Sequence, residues 1–297
     1  MKRNVIHTGD ATETLQELPA ESVNMVMTSP PYWNLRDYGV DGQLGREETA
    51  GAFVQNLADV FDEVKRVLRP DGSLWLNLGD TYDDKDLQQI PARVALELQD
   101  RGWILRNRVT WAKPNPMPQS VKDRLNDTTE AVFHFVKERD YWYDLDAIRE
   151  PHADSTHERD KYGSRTNDEW VKGQDDNHNA SGHSGMNPVG KNPGDVFEVT
   201  TKPFPEAHFA VYPPELCEKP IKATCPPDGV VLDPFAGAGT TLLKAKELGR
   251  EYVGIELNPE YADMARARIG LSPHDPSNVR DDDDQHGLEA YADGGKP

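Results

Sequence analysis

Two short stretches carry the residue types from which a reaction could be built. The first is Met27-Thr28-Ser29-Pro30-Pro31-Tyr32-Trp33, which follows the apolar run Val23 to Met27 and precedes a polar loop, Asn34 to Gly39. Each proline fixes φ and removes a backbone donor, so a buried strand that stops at two prolines delivers a rigid loop to its carboxyl end. Ser29, ahead of a proline, is driven toward extended geometry. Its hydroxyl and the carbonyls of Ser29 and Pro30 can then face outward as acceptors, with Tyr32 and Trp33 as flat apolar faces beside them. Such a loop suits a planar ring that bears an amino group. Taken alone, the plainer reading of the motif is a Pro-Pro turn at a strand end.

The second stretch is Asp233-Pro234-Phe235-Ala236-Gly237-Ala238-Gly239-Thr240-Thr241, entered from the apolar run Val230-Val231-Leu232 and left through a helix over Leu242 to Leu248. Its glycines let backbone approach a ligand, and the new helix offers free N–H groups and the positive end of its dipole to a carboxylate or phosphate. A further strand, Tyr252 to Ile255, ends at Glu256, the right distance on for an acidic side chain that receives ribose hydroxyls. A nicotinamide or flavin site would show a third glycine where this chain has Leu242. A single nucleoside cofactor with a charged amino-acid arm fits better than a pyrophosphate.

The elements that must hold these loops follow from periodicity. Val5-Ile6-His7 reads as a strand and Ala11 to Leu18 as a helix; Asp10 between them either meets a ligand at the sheet edge or caps the helix. Apolar residues at Phe53, Leu57, Val60, Phe61, Val64 and Leu68 have helical spacing, and Arg69-Pro70-Asp71-Gly72 ends that helix ahead of a strand, Ser73 to Leu78. A helix over about Gln88 to Asp100, a strand from Trp103 to Trp111, a stiff loop with prolines at 114, 116 and 118, an apolar strand Ala131 to Val136 and a closing helix Pro259 to Ile269 complete the pattern. Strands alternating with helices argue for an α/β fold with an open, largely parallel sheet and helices on both faces.

With 297 residues, one main domain with an insert is expected. No long apolar run and no apolar leader region occur, which implies a soluble, intracellular protein with no membrane association. Cys217 and Cys225 read as free core thiols, and His178 and His183 stand alone in a polar segment, so no metal site is expected. Fifty-two acidic against thirty-three basic residues give a formal net charge of −19, which opposes a polyanionic partner unless positive charge is local or salt is high. Such a surface suits a salt-rich cytoplasm, and a halophilic source is the hypothesis it raises. From about Pro151 to Asp195 apolar residues nearly vanish: the segment is a solvated insert or a surface that orders on a partner. After Leu271 the composition turns to Pro, Asp and Gly, as in a disordered acidic tail.

The two loops lie far apart in sequence, yet both follow strands and so both open at the carboxyl edge of one sheet. With Gly9-Asp10, Thr28 to Trp33, Arg69-Pro70-Asp71-Gly72, Trp111 to Asn126, His208-Phe209-Ala210, and Asp233 to Thr241 with Glu256 in this order, the chain resembles the DNA amino-methyltransferases of the N4-cytosine/N6-adenine group. The order is the circularly permuted one, in which the SPPY motif precedes the cofactor motif. The resemblance implies a single Rossmann-like methyltransferase domain, S-adenosyl-L-methionine as cofactor and a base flipped from double-stranded DNA as substrate. It implies a catalytic half over residues 1–150, a target-recognition insert over 151–200, a cofactor half over 201–270 and a tail over 271–297. By the same resemblance Ser29, Pro30, Pro31 and Tyr32 are catalytic. Asp233, Phe235, Gly237, Gly239, Thr240 and Thr241 hold the methionine part, Glu256 the ribose, Asp10 the adenine region and Phe209 the cofactor's flank. Serine at the first motif position resembles the cytosine-N4 enzymes; aspartate there is commoner among adenine-N6 enzymes, which are the alternative. A non-catalytic DNA-binding module is the reading from another class, and a cognate restriction endonuclease is a candidate partner. Trp33 is expected beside the base. Arg106, Arg108, Lys113, Lys122 and Arg124 are either phosphate contacts near the catalytic edge or ordinary surface charge.

Overall fold

The computed structural model describes residues 1–37, 39–40, 42–152, 187–202 and 211–272. The elements in chain order are β1 (Val5–Thr8), α1 (Ala11–Glu17), β2 (Val23–Thr28), α2 (Ala50–Val67), β3 (Leu68–Leu78), β4 (Tyr82–Asp83), β5 (Asp86–Leu87), α3 (Ile90–Asp100), β6 (Ile104–Ala112), β7 (Thr129–Val136), β8 (Val196–Glu198), α4 (Pro214–Thr224), β9 (Val230–Asp233), α5 (Thr240–Glu247), β10 (Glu251–Glu256) and α6 (Pro259–Ile269). Eight strands form one sheet in the order β1-β10-β9-β2-β3-β7-β6-β8. All neighbouring pairs are parallel except those made by β7, which runs against both β3 and β6.

Helices cover both faces, as the alternating pattern requires. On one face Leu15 of α1, Phe53, Leu57, Phe61 and Val64 of α2, and Ile90, Val94 and Leu98 of α3 pack against Val26 of β2 and Leu74, Leu76 and Leu78 of β3. On the other, Leu216 and Ile221 of α4, Leu242 and Ala245 of α5, and Ala262, Ala265 and Ile269 of α6 pack against Met25, Met27, Trp75 and Val231. Full burial of a phenylalanine such as Phe53 or Phe61 contributes about 1.5–3 kcal/mol. The start of α2 is fixed by Thr49, whose Oγ1 accepts from the Ala52 N–H at 3.1 Å. Cys217 and Cys225 are free and buried.

One sequence expectation is corrected. Arg69-Pro70-Asp71-Gly72 does not separate α2 from its strand: β3 begins at Leu68, and its register on β2 jumps from Val23↔Leu68 to Met25↔Ser73. The extra residues are absorbed as a bulge, where a Cβ on Gly72 would lie 2.9 Å from the Asn24 carbonyl. Within the stretch expected as the insert, Val196–Glu198 joins the sheet. β8 pairs with β6, and Glu150 bridges to Lys191. The rest of the insert, including His178 and His183, and the acidic tail lie outside the described residues. Among the described residues no helix is long and apolar enough to cross a membrane.

Candidate active site

The sheet order places β2 directly beside β9, with Met25 opposite Val231 and Val26 opposite Leu232. The Ser29 loop and the Asp233 loop therefore leave adjacent strands at the same edge. Side chains tie them together: Thr28 donates through Oγ1 to Asp233 Oδ1 at 2.6 Å, and Thr241 donates to the Met27 carbonyl at 3.1 Å.

On the β9 side the polar side chains turn inward. Asp233 is fully buried and also receives the Phe235 N–H at 3.1 Å and the Tyr212 hydroxyl at 3.2 Å. Burial pushes its carboxyl up to about 6, the donors around it notwithstanding. Burial, then the Asp233 charge, raises the Tyr212 phenol well above its usual value, so Tyr212 stays a donor. Tyr212 also bonds Thr241, and Thr240 Oγ1 accepts from Arg268 at 2.9 Å. What the loop presents outward is main chain. Gly237 sits at φ +50° with open space where a Cβ would be, and Gly239 caps α5 at φ +73°. The first turn of α5 leaves N–H groups without helical partners. Glu256 holds the Gly237 N–H at 2.7 Å on one oxygen and the Asn258 N–H at 2.9 Å on the other; burial raises its carboxyl. Asp10 caps α1, accepting from the Glu13 N–H at 3.0 Å through one oxygen. Gly237 and Glu256 are thus joined at this edge, with Asp10 just past the end of the neighbouring strand β1, while Asp233, Thr240 and Thr241 are buried. Phe209 lies outside the described residues.

On the β2 side the side chains face one another. Ser29 Oγ is 3.1 Å from the Tyr32 hydroxyl, which donates to Glu130 Oε2 at 2.7 Å. Asn77 at the end of β3 directs Nδ2 to Tyr32 at 2.9 Å, to Glu130 at 2.8 Å and, more distantly, to Ser29 at 3.3 Å. Lys113 pairs with the other Glu130 oxygen. The Tyr32 ring lies against Gly79, where a Cβ would approach Cε2 to 2.5 Å. Burial, then the Glu130 charge, holds the Tyr32 phenol well above its usual value. Asn77 and Glu130 were missed from sequence. Their signal was a polar residue closing one apolar strand and an acidic residue opening another, which meet only because β7 runs antiparallel and pairs Asn77 with Val132.

Several expected substrate contacts are placed elsewhere. Trp33 offers no face to a ring: it is 5% exposed, packed in the core, and donates through Nε1 to the Glu47 carbonyl at 2.9 Å. Lys113 is turned inward to Glu130 and lies 4.7 Å over the Trp111 ring. Arg106 and Arg108 are exposed on β6 ahead of its carboxyl end and are separated from β2 by β3 and β7. Arg106 donates to the Tyr141 hydroxyl at 3.0 Å. Arg124 pairs with Asp127 at 2.9 Å and stacks 4.1 Å over Tyr82 of the β4–β5 hairpin. Lys122 is exposed on the same proline-stiffened loop, beside Leu125 (89% exposed) and near Met117 (84%).

The chain is similar to known proteins. The type II methyltransferase M.XycI of Xanthomonas campestris pv. cyanopsidis is 40% identical over 298 residues, covering 91% of this chain and 88% of its own. M.Cfr9I of Citrobacter freundii is 40% identical over 290 residues, covering 88% and 86%. Among solved structures, the PvuII DNA methyltransferase (cytosine-N4-specific) has a TM-score of 0.67 at 23% identity over 91% of this chain and 86% of its own, a likeness of fold. A putative DNA modification methylase from Thermus thermophilus, complexed with S-adenosyl-L-methionine, has a TM-score of 0.57 at 27% identity over 89% of this chain and 94% of its own. The DNA methylase family of N6/N4 amino-methyltransferases matches residues 23–267, from the strand that delivers Ser29 to the last turn of α6, and the chain belongs to that S-adenosyl-L-methionine-dependent family.

Proposed function

We propose that the protein methylates the exocyclic N4 amino group of a cytosine swung out of double-stranded DNA, at a specific site and as a type II modification enzyme. The observation that carries this reading is the 2.6 Å bond from Thr28 to Asp233, which sets Ser29 one residue from the wall where a nucleoside cofactor fits. The open cradle at Gly237 and the free N–H groups of α5 suit the amino-acid arm of S-adenosyl-L-methionine, with Phe235 beside it. Glu256 takes the ribose hydroxyls, Asp10 the adenine region, and Phe209 the flank. When bound, this cofactor supplies an electrophilic methyl group on a sulfonium. Opposite, Ser29 Oγ and the Pro30 carbonyl accept hydrogens from the amino group, which localises a lone pair otherwise delocalised into the ring. Pro31 keeps the loop rigid and Tyr32 flanks the base. Catalysis comes mainly from placement and electrostatics. Extruding the base costs a few kcal/mol, and stacking on an aromatic face returns about 1–3 kcal/mol, so the pocket's hydrogen bonds supply the remainder.

The segments 1–150, 201–270 and 151–200 act respectively as catalytic half, cofactor half and target-recognition insert. A cognate restriction endonuclease is the companion this role implies, in the cytoplasm. The net charge of −19 fits a cytoplasm rich in salt, and the folded fraction should rise with KCl; full stability in dilute buffer would count against that origin. Ser29 favours cytosine through its resemblance to the N4 enzymes. Mass analysis of nucleosides from plasmid DNA treated with protein and S-adenosyl-L-methionine tests the assignment. N4-methylcytosine is expected; N6-methyladenine would move the target to adenine, and neither product would leave only a binding module.

A further inference from the structure

We propose that Glu130 is a positioning residue for methyl transfer: it polarises the chain Ser29–Tyr32–Glu130 so that Ser29 presents lone pairs, not its proton, to the incoming amino group, and it receives the proton released there. This deepens the reading of Ser29 as the amino-group acceptor and rests on it.

The direction of each bond follows from counting donors and acceptors. An ionised carboxylate only accepts. Glu130 Oε1 is held in an ion pair by the Lys113 ammonium, so Oε2 takes the Tyr32 hydroxyl hydrogen at 2.7 Å and an Asn77 N–H at 2.8 Å. Tyr32 has a single hydrogen, now committed. At the 3.1 Å contact between Ser29 Oγ and Tyr32 the donor must therefore be Ser29. The Asn77 amide is locked the same way: turned over, its oxygen would face the carboxylate. It keeps Nδ2 toward Tyr32 and Glu130 although its buried Oδ1 has no partner among the described residues. With its hydrogen pointing inward, Ser29 has only acceptor capacity left for a ligand. The titratable groups facing Glu130 are Tyr32 from the loop after β2 and Lys113 from the end of β6, with Asn77 of β3 the neutral partner between them.

The same chain gives the proton an exit. After the amino nitrogen takes the methyl group it carries one proton too many. That N–H bond breaks toward Ser29 Oγ and its electron pair returns to nitrogen. The Ser29 hydrogen passes to Tyr32 Oη, and the Tyr32 hydrogen passes to Glu130 Oε2, leaving a neutral carboxylic acid that re-ionises to water.

The experiment is single-turnover transfer of labelled methyl groups from S-adenosyl-L-methionine to plasmid DNA from a methylation-deficient host, with full-length protein in excess. Glu130→Gln should slow transfer about 10²-fold, with the cofactor dissociation constant by calorimetry unchanged within twofold. Glu130→Ala should be rescued by added acetate in proportion to its concentration. Tyr32→Phe should be slowed comparably and not be rescued, because the link to Ser29 is cut. Wild-type transfer rates in Glu130→Gln, or a folded Glu130→Ala indifferent to acetate, would each overturn the inference. Ser29→Ala in the same assay separates the two levels: if it transfers at the wild-type rate, the reading of Ser29 itself falls, whatever Glu130 does.

Discussion

The two walls of the cleft are built on opposite plans. On the β9 side Asp233, Thr240 and Thr241 are buried and bonded to Thr28, Tyr212, Arg268 and Met27, so their side chains hold the loop's shape and main chain is left to serve the proposed cofactor. On the β2 side Ser29, Tyr32, Asn77 and Glu130 bond one another through side chains, and those groups carry the proposed chemistry. A wall of main chain depends on folding. A wall of side chains depends on hydrogen-bond polarity. Substitutions should therefore divide cleanly, with stability lost on one side and turnover on the other.

The largest expected effect is on turnover. Ser29→Ala removes the proposed acceptor of the amino group and should lower the transfer rate about 10²–10³-fold, the range seen when one preorganised electrostatic contact is lost. Its melting temperature and cofactor affinity should match wild type, since Ser29 contacts Tyr32 and Asn77 and not the β9 wall. A matching loss of cofactor affinity, measured by calorimetry, would break the division.

Asp233 gives the counterpart in stability. Burial raises its folded pKa from the ordinary 3.8 to about 6. A carboxyl raised on folding contributes stability that is fully present below pH 3.8 and is lost as pH rises through about 6. The difference is on the order of 3 kcal/mol. Urea unfolding of wild type and Asp233→Asn at several pH values should show the wild type losing ground to the variant across this window. Parallel curves would mean that Asp233 is not buried as a titrating group.

A matched pair of glycines sharpens the contrast at smaller magnitude. A Cβ on Gly254 would sit 2.4 Å from Leu242 Cδ1, inside the packing under the β9 wall, whereas one on Gly79 would sit 2.5 Å from Tyr32 Cε2. Gly254→Ala should cost about 1–3 kcal/mol of stability through overpacking, with turnover per folded molecule preserved. Gly79→Ala displaces the Tyr32 ring and should reduce turnover with little change in melting temperature.

The same contrast explains what could be read from the sequence. The β9 wall was legible because glycine, a strand end and a helix start are local signals: Gly237 and Gly239 follow β9, Glu256 ends β10 and α6 runs over Pro259–Ile269 as expected, although α5 begins at Thr240, two residues ahead of its apolar pattern. The β2 wall was half legible. The strand-ending prolines announced Ser29 and Tyr32, but hydrophobic periodicity carries no strand direction. In an all-parallel sheet Glu130 would open β7 at the far edge; the reversal of β7 brings it to Tyr32 and turns Lys113 inward to meet it. Trp33 was misplaced because an aromatic next to a functional loop reads the same whether it faces a ligand or, as here, the core. α4 was missed because Pro220 and its charged neighbours interrupt the apolar pattern, although Pro220 is buried within the helix.

The smallest effect separates two lysines that look alike in sequence. Lys122 is exposed on the loop between β6 and β7, whereas Lys113 is consumed by Glu130 and Trp111. A phosphate contact releases counterions, so each one lost flattens the slope of log affinity against log salt by about 0.9 on duplex DNA. Lys122→Gln should therefore weaken binding modestly and equally on all sequences and reduce the slope by about one contact. Lys113→Gln should leave the slope unchanged and lower turnover, because it removes the ammonium that pairs with Glu130. Binding titrations at stepped KCl would decide it: equal slope changes for the two variants would place Lys113 on the DNA and erase the distinction between a wall that reacts and a rim that binds.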